Sequence, residues 1–358
     1  MNPSISTVSE RPDGTGDWRT VIASLTLTEV VDGTQDPFGF DSDACESLLE
    51  RTACPTVFLA PWWISVWHEV LGDGTHPRVI QTRDADELVV VAPLLDFGDS
   101  LVLAGDPDLF DYQDLLMVKG RELELTGALL DFLADSGGSG WTSLELPSVP
   151  GESPTVEAMT AAAESRGYRV ETNEVAVAPV LELPDSWDEF MASLAKKHRH
   201  ELRRKIRKLE AAGEARQVTV TDAQGLEEEM EDFLRLMGGT SEDKAAFLTP
   251  ERRRFFHLLA KRAADRGALK LSFLEVDGER LAACLIFDYA GVFMLYNSGY
   301  DPARSDLSVG LINKAFAIRE AIGFGRRRFD FLKGAERYKY SLGGRDRAIY
   351  RILVTRST

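Results

Sequence analysis

The feature that most constrains the fold is the order in which secondary-structure signals recur. Each half of the chain reads as helix, strand, turn, strand, strand, helix, strand, although the two halves share no obvious sequence repeat. Helices that alternate with strand pairs in this way are typical of α/β or α+β architectures, in which helices cover a sheet. The sequence therefore predicts two similar α/β lobes.

Turn and capping residues mark several element boundaries. Asp277-Gly278 lies between two apolar runs, which is the pattern of a tight β-hairpin. A single helix is predicted from Ser186, which forms a capping box with Glu189, to the stop at Gly213. Another helix is predicted to start with Thr249 as its cap and Pro250 as its first residue.

Chain length and charge divide the molecule further. At 358 residues the chain is long for one domain. We predict a disordered or loosely held tail over residues 1–36, a first lobe over 37–185 and a second over 186–358. Residues 1–185 carry 33 acids and 9 bases, whereas residues 186–358 carry 25 acids and 32 bases. The basic second lobe is therefore the one expected to meet an anion.

The sequence also indicates the compartment. Residues 1–20 are polar and contain no apolar signal-peptide core. No apolar run approaches the ~20 residues that a membrane-spanning helix needs. The three cysteines form neither a disulfide framework nor a metal pattern. We expect a cytoplasmic protein with no transmembrane segment.

An anion site is predicted where a strand at 292–297 leads through a polar loop into a helix. The loop ends in Ser308, Val309 and Gly310, with Lys314 one turn later. The free N–H groups at a helix N-terminus hold anions, and glycine lets a phosphate approach the backbone. These four residues are the candidates for binding a phosphate-bearing carrier such as coenzyme A. An ordinary amphipathic helix after a strand would show the same pattern.

A strongly basic segment precedes this site in the sequence. Between residues 196 and 208 there is one acid, Glu201, among eight bases: Lys196, Lys197, Arg199, Arg203, Arg204, Lys205, Arg207 and Lys208. The bland interpretation is a solvated helix face. The functional one is contact with phosphates of a nucleotide, a nucleotide sugar or a tRNA, with Arg199 and Arg203 as candidates. Duplex DNA is not expected, because no helix-turn-helix or zinc pattern accompanies the segment.

Polar residues near the C-terminus are candidates for the chemistry. Asp330 ends an alternating strand and could act as a base or orient an amine. Tyr338 could protonate a leaving thiolate, and Lys339 could bind a phosphate or carboxylate. An ordinary surface loop is the alternative interpretation of this segment.

In the first lobe, Asp111, Tyr112 and Asp114 form a polar group that either faces the acceptor or makes a turn. No metal is predicted, because the five histidines lack metal-ligand spacing. Gly-x-Ser-x-Gly and Walker A patterns do not occur, which disfavours covalent serine catalysis and NTP hydrolysis.

Taken in order, these motifs resemble the bacterial acetyltransferase family of CelD-like and BioF-like proteins, which belongs to the GNAT superfamily and is related to the FemAB aminoacyltransferases. The resemblance covers about residues 55–350 and departs from the family at Val309, where proline is frequent. The matching segments are Trp187, 197–210, Gly213, 299–302, Ser308, Gly310, 330–339 and 111–116.

The resemblance implies tandem GNAT-like lobes, each a mixed, mostly antiparallel sheet flanked by helices. In this fold two neighbouring strands splay and hold the donor, and here they would be 281–289 and 292–297. It implies acyl transfer from acetyl-CoA or another acyl-CoA to an amine on a small molecule or glycan precursor, in polysaccharide or cell-envelope synthesis. A FemAB-type transfer from aminoacyl-tRNA and a non-catalytic binding protein on the same fold remain alternatives.

Overall fold

A computed structural model describes residues 9–10, 19–22, 25–30, 38–135 and 140–356. The chain folds into two compact units. The first comprises Met1–Ala176 with Ala348–Thr358, and the second comprises Val177–Arg347. The sequence-predicted division lay at residue 185, whereas this division lies at residue 176 and returns the C-terminal segment to the first unit.

The elements run through both units in chain order. The strands are β1 (Ser9–Glu10), β2 (Arg19–Ile22), β3 (Leu25–Val30), β4 (Pro77–Asp84), β5 (Glu87–Asp96), β6 (Ser100–Leu103), β7 (Leu116–Met117), β8 (Ser143–Pro150), β9 (Arg169–Glu182), β10 (Ala215–Val220), β11 (Leu269–Val276), β12 (Glu279–Tyr289), β13 (Val292–Tyr300), β14 (Arg328–Asp330) and β15 (Arg345–Thr355). The α-helices are α1 (Ser42–Glu50), α2 (Pro61–Leu71), α3 (Glu122–Asp135), α4 (Thr155–Glu164), α5 (Trp187–Ser193), α6 (Lys196–Glu210), α7 (Leu226–Gly239), α8 (Glu242–Phe247), α9 (Pro250–Ala264), α10 (Val309–Gly323) and α11 (Arg337–Ser341). Two 3₁₀ turns cover Val57–Leu59 and Pro302–Leu307.

The first unit is a sheet in the order β1-β2-β3-β4-β5-β6-β8-β15, with β7 also pairing with β5. All these pairs are antiparallel except β6 with β8. Helices α3 and α4 contribute Leu129, Phe132 and Met159 to its core. The tryptophans of α2, Trp62, Trp63 and Trp67, are buried as structural residues, as an apolar helix predicts.

Part of the predicted N-terminal tail is a paired strand. β3 pairs with β4 along its length, and its Leu25 and Leu27 side chains are buried. Residues 1–8, 11–18, 23–24 and 31–37 lie outside the described residues.

The second unit is a sheet in the order β10-β11-β12-β13-β14-β9, antiparallel except for β13 with β14. Both units therefore have the predicted mixed, mostly antiparallel sheet flanked by helices. The Asp277-Gly278 hairpin is confirmed: these residues have φ values of 51° and 84°, and Val276 pairs with Glu279. A positive φ at both turn residues gives the twist that a two-residue hairpin requires.

The helix predicted from Ser186 to Gly213 is two helices. The Ser186 hydroxyl does cap α5 by accepting from the Glu189 N–H at 3.2 Å, but the chain is extended at Leu194 and Ala195 before α6 begins. Leu194 is buried there. Burial of this side chain decides the break, and no local glycine or proline signals it. In the described part of the chain, no helix is long and apolar enough to cross a membrane.

Candidate functional site

In the second unit, the neighbouring strands that separate along part of their length are β13 and β14. The expectation that β12 and β13 splay is wrong, because they pair from Ala282–Tyr300 to Tyr289–Val292, with one register shift between Leu285 and Ile286. β13 and β14 instead pair only over Val292–Met294 with Arg328–Asp330, although β13 continues to Tyr300. Within the described ranges, no strand pairs with β13 on the β14 side beyond Met294. Side chains bond part of this edge: the Ser298 carbonyl accepts from Lys244, and the Tyr300 N–H donates to the Thr240 hydroxyl.

Helix α10 begins shortly after β13 in the sequence, and its first turn is the predicted anion site. Ser308 adopts a left-handed conformation (φ 58°, ψ 34°), and its carbonyl accepts from the N–H groups of Leu311 and Ile312, both at 3.1 Å. Among the described residues, the Val309 and Gly310 N–H groups have no hydrogen-bond acceptor. Val309 and Gly310 are both buried, Val309 with no exposed surface.

The basic helix α6 contacts the segment that precedes α10. The Lys205 Nζ donates to the Ser308 Oγ at 3.0 Å, and the Lys208 Nζ donates to the Asp306 carbonyl at 2.7 Å. Two segments identified separately in the sequence are thus brought together. The predicted phosphate ligands Arg199 and Arg203 are not part of this contact: Arg199 donates to the Ala192 carbonyl at 2.9 Å, and Arg203 is exposed.

Asp330 and Lys339 both form hydrogen bonds with the loop that follows β14. The Asp330 Oδ1 accepts from the Leu332 N–H at 2.7 Å, and the Lys339 Nζ donates to the Leu332 carbonyl at 2.9 Å. Leu332 has a φ of 58°, which is strained for a leucine and needs such support. Lys339 also donates to the carbonyls of Lys333 and Gly334 and pairs with Glu336. Its ammonium is therefore committed to this loop, in contrast to the substrate-binding role predicted from sequence.

The Tyr338 ring lies against the Lys314 ammonium. The Lys314 Nζ lies 4.9 Å from the centroid of the Tyr338 ring and donates to the Gly310 carbonyl at 3.2 Å. Burial raises the pKa of the Tyr338 phenol far above its ordinary value, and the nearby Glu336 and Cys284 raise this pKa further. The phenol therefore stays protonated at neutral pH.

Sequence reasoning missed Lys244, which lies on the short helix α8. Its Nζ donates to the carbonyl of Ser298, on the part of β13 beyond its pairing with β14. Burial, together with the smaller effect of the positive charge of Lys314, lowers the pKa of Lys244 to about 8. An isolated lysine in a polar segment carries no sequence signal for such a position.

In the first unit, the three predicted substrate residues differ in their surroundings. Asp111 is half-buried, and the Tyr112 ring packs edge-on against Phe58 with a centroid distance of 5.9 Å. Asp114 is buried and accepts from the Leu115 N–H at 2.7 Å. Burial raises the pKa of Asp114 to about 6, against hydrogen bonds from Ser153 and Thr155 that lower it.

Asp114 should give the first unit a pH-dependent stability. Its folded-state pKa lies above the ordinary 3.8, so its contribution is complete below about pH 3.8 and is lost as pH rises through about 6. We expect Asp114→Asn to gain about 1–3 kcal/mol relative to the wild type between pH 4 and pH 7. Melting temperatures at both pH values measure this. Glu157→Gln, an exposed carboxyl on α4, is the control, and equal differences for the two variants would contradict the prediction.

Part of the chain matches a known protein family, and its fold resembles several solved structures. Residues 196–340 match the family described as an acetyltransferase (GNAT) domain. The chain is similar in fold to the crystal structure of FemX, with a TM-score of 0.63 at 12% identity over 87% of this chain and 96% of that one. It is also similar to L-PGS from Bacillus licheniformis, with a TM-score of 0.52 at 15% identity over 89% of this chain and 92% of that one. Among curated protein sequences, none matches the chain.

Proposed function

We propose that the protein is an N-acyltransferase that uses acetyl-CoA or another acyl-CoA, because residues 196–340 match the family described as an acetyltransferase (GNAT) domain. The acceptor is an amine on a small molecule or glycan precursor, in cytoplasmic polysaccharide or cell-envelope synthesis. One observation carries the proposal: the unbonded Val309 and Gly310 amides lie at the N-terminus of α10, where Lys205 reaches Ser308.

The site divides the work between its elements. The two amides, the Ser308 hydroxyl and the Lys205 ammonium would bind the donor phosphates. The β13 edge beyond Met294 would line the acyl arm. In the transfer, the acceptor nitrogen bonds to the acyl carbon, the carbon–sulfur bond breaks, and the nitrogen releases one proton to solvent while solvent returns one proton to Tyr338. The Tyr338 phenol would protonate the leaving thiolate, and Asp330, at the end of β14, is the candidate for orienting the amine.

Removing Lys205 tests the phosphate site. Acetyl-CoA should raise the melting temperature of the wild type, because a ligand that binds only the folded state stabilises it. Lys205→Ala should bind acetyl-CoA about tenfold more weakly, since it loses one charge-assisted hydrogen bond. Lys261→Ala, an exposed lysine on α9, is the matched control. If CoA esters leave the melting temperature unchanged while aminoacyl-tRNA raises it, the CoA donor is wrong.

The second candidate is a FemAB-type aminoacyltransferase, and the basic helix α6 favours it. Its eight bases exceed what the short Ser308 loop needs, and Lys196, Lys197 and Arg203 are exposed. The fold likeness to FemX is compatible with this alternative. Binding of aminoacyl-tRNA should then weaken steeply with salt, because each phosphate contact releases counterions. A flat salt dependence would count against this donor.

A further inference from the structure

The buried Lys314 and Lys339 and the half-buried Lys244, all in the second unit, differ in how their ammonium groups are satisfied. Lys339 donates to three carbonyls and pairs with Glu336 at 2.9 Å. Lys314 donates to the Gly310 carbonyl alone, and Lys244 to the Ser298 carbonyl alone. An ammonium carries three N–H donors. Among the described residues, Lys314 and Lys244 therefore each keep two donors without an acceptor.

These two ammonium groups also lack a counter-ion of their own. Neither forms an ion pair with a carboxylate in the described part of the chain. Two acidic groups act on both lysines: the Cys284 thiol, whose pKa is raised by burial, and Glu336, whose side chain is 56% exposed and already bonded to Lys339. Burial lowers the pKa of Lys244 and of Lys314. The charge of Lys314 acts on Lys244, and like charges that are withdrawn from water are costly unless an anion compensates them.

Their position places this unpaired charge at the reaction site. Ser298 lies on the β13 edge beyond the last pair with β14, and Gly310 lies in the first turn of α10. The Tyr338 ring lies against the Lys314 ammonium. Lys314 itself is only 6% exposed, but Lys244 and Tyr338 remain partly exposed. Solvent therefore reaches the pair from the side of Lys244.

We propose that Lys244 and Lys314 together bind a carboxylate of the substrate, an inference that rests on the proposed acyl transfer. A carboxylate offers two oxygens, one to each ammonium, and one negative charge to the pair. The donor phosphates already have their own ligands at Ser308, Val309 and Gly310. The carboxylate belongs either to the transferred acyl group or to the amine acceptor, and both sources share this chemistry.

Two pairs of probes separate the sources, with affinities measured by calorimetry on the full chain. Succinyl-CoA against acetyl-CoA tests the acyl group, and L-alanine against L-alaninamide tests the acceptor. In one pair the carboxylate probe should bind at least about tenfold more tightly. Lys244→Met and Lys314→Met should abolish this preference, whereas Lys261→Met should keep it. No preference in either pair, or a preference that survives in both variants, overturns the proposal.

The second measurement is the melting temperature of each variant without any added ligand. Because each variant removes an uncompensated buried charge, its melting temperature should rise by about 2–4 °C. A lower melting temperature, or failure to fold, would show that these lysines hold the structure and would overturn the proposal. Turnover of acetyl-CoA without any carboxylate preference would leave the proposed function standing. A carboxylate preference in the alanine pair with no acyl transfer would remove the function and keep the site.

Discussion

Replacing Gly299 with alanine should destabilise the second unit by about 3 kcal/mol or more. A Cβ at this position would lie well under 3.0 Å from backbone atoms of Leu236 and Met237 on α7. Backbone cannot move aside as a flexible side chain can, so either α7 or β13 must shift. We expect the melting temperature to fall by about 6–12 °C, measured by circular dichroism.

Gly323→Ala is the matched control for this prediction. Gly323 ends α10, and a Cβ there would meet no heavy atom within 4 Å. We expect this variant to be neutral or stabilised by up to about 1 kcal/mol, since alanine restricts the unfolded chain. Equal melting temperatures for the two variants would show that α7 does not press on β13 as described. The Gly299→Ala substitution would also disturb the packing of α7 against the unpaired edge of β13.

Replacing Tyr338 with phenylalanine should lower kcat about 100-fold or more while the melting temperature stays unchanged. The variant keeps the ring that packs against Phe331 and Lys314 and removes only the hydroxyl. Because the pKa of Tyr338 is raised, its phenol stays protonated, and wild-type turnover should show no loss from its ionisation between pH 6 and pH 9.

Tyr340→Phe is the control on the same helix. Its exposed hydroxyl donates to the Asp346 Oδ1 at 2.7 Å and has no place in the proposed transfer. Wild-type kcat in Tyr338→Phe would exclude this phenol as the proton donor. If the wild type binds acetyl-CoA but never turns over, and Asp330→Ala and Tyr338→Phe bind equally well, the non-catalytic alternative gains its support.

Local sequence signals predicted the elements that depend on a few neighbouring residues. Thr249 caps α9 by accepting from the Arg252 N–H at 3.3 Å, and Pro250 is the first residue of that helix. The start of α10 at Val309 and the hairpin at Asp277-Gly278 also lie where the sequence predicts them. Capping and turn chemistry act within about four residues, so the sequence contains the whole interaction.

Signals that depend on distant partners were missed. The break at Leu194 and Ala195 follows from burial of Leu194 in the core of the second unit. The assignment of the open strand pair failed because strand partners are separated by long stretches of chain: β13 and β14 are joined through α10. Helix α8 and its Lys244 had no pattern to reveal them.

By itself the sequence determined the tandem order of helices and strands, the basic second half and the chemical character of the turn at residues 308–310. These follow from backbone preferences, side-chain charge and hydrophobic periodicity, which act locally. Only the tertiary structure decided that Lys205 meets Ser308, that Lys339 is committed to a loop and that Lys244 and Lys314 stay without counter-ions. Burial and pairing of charges arise from residues far apart in the chain, because the fold alone brings them within interaction distance.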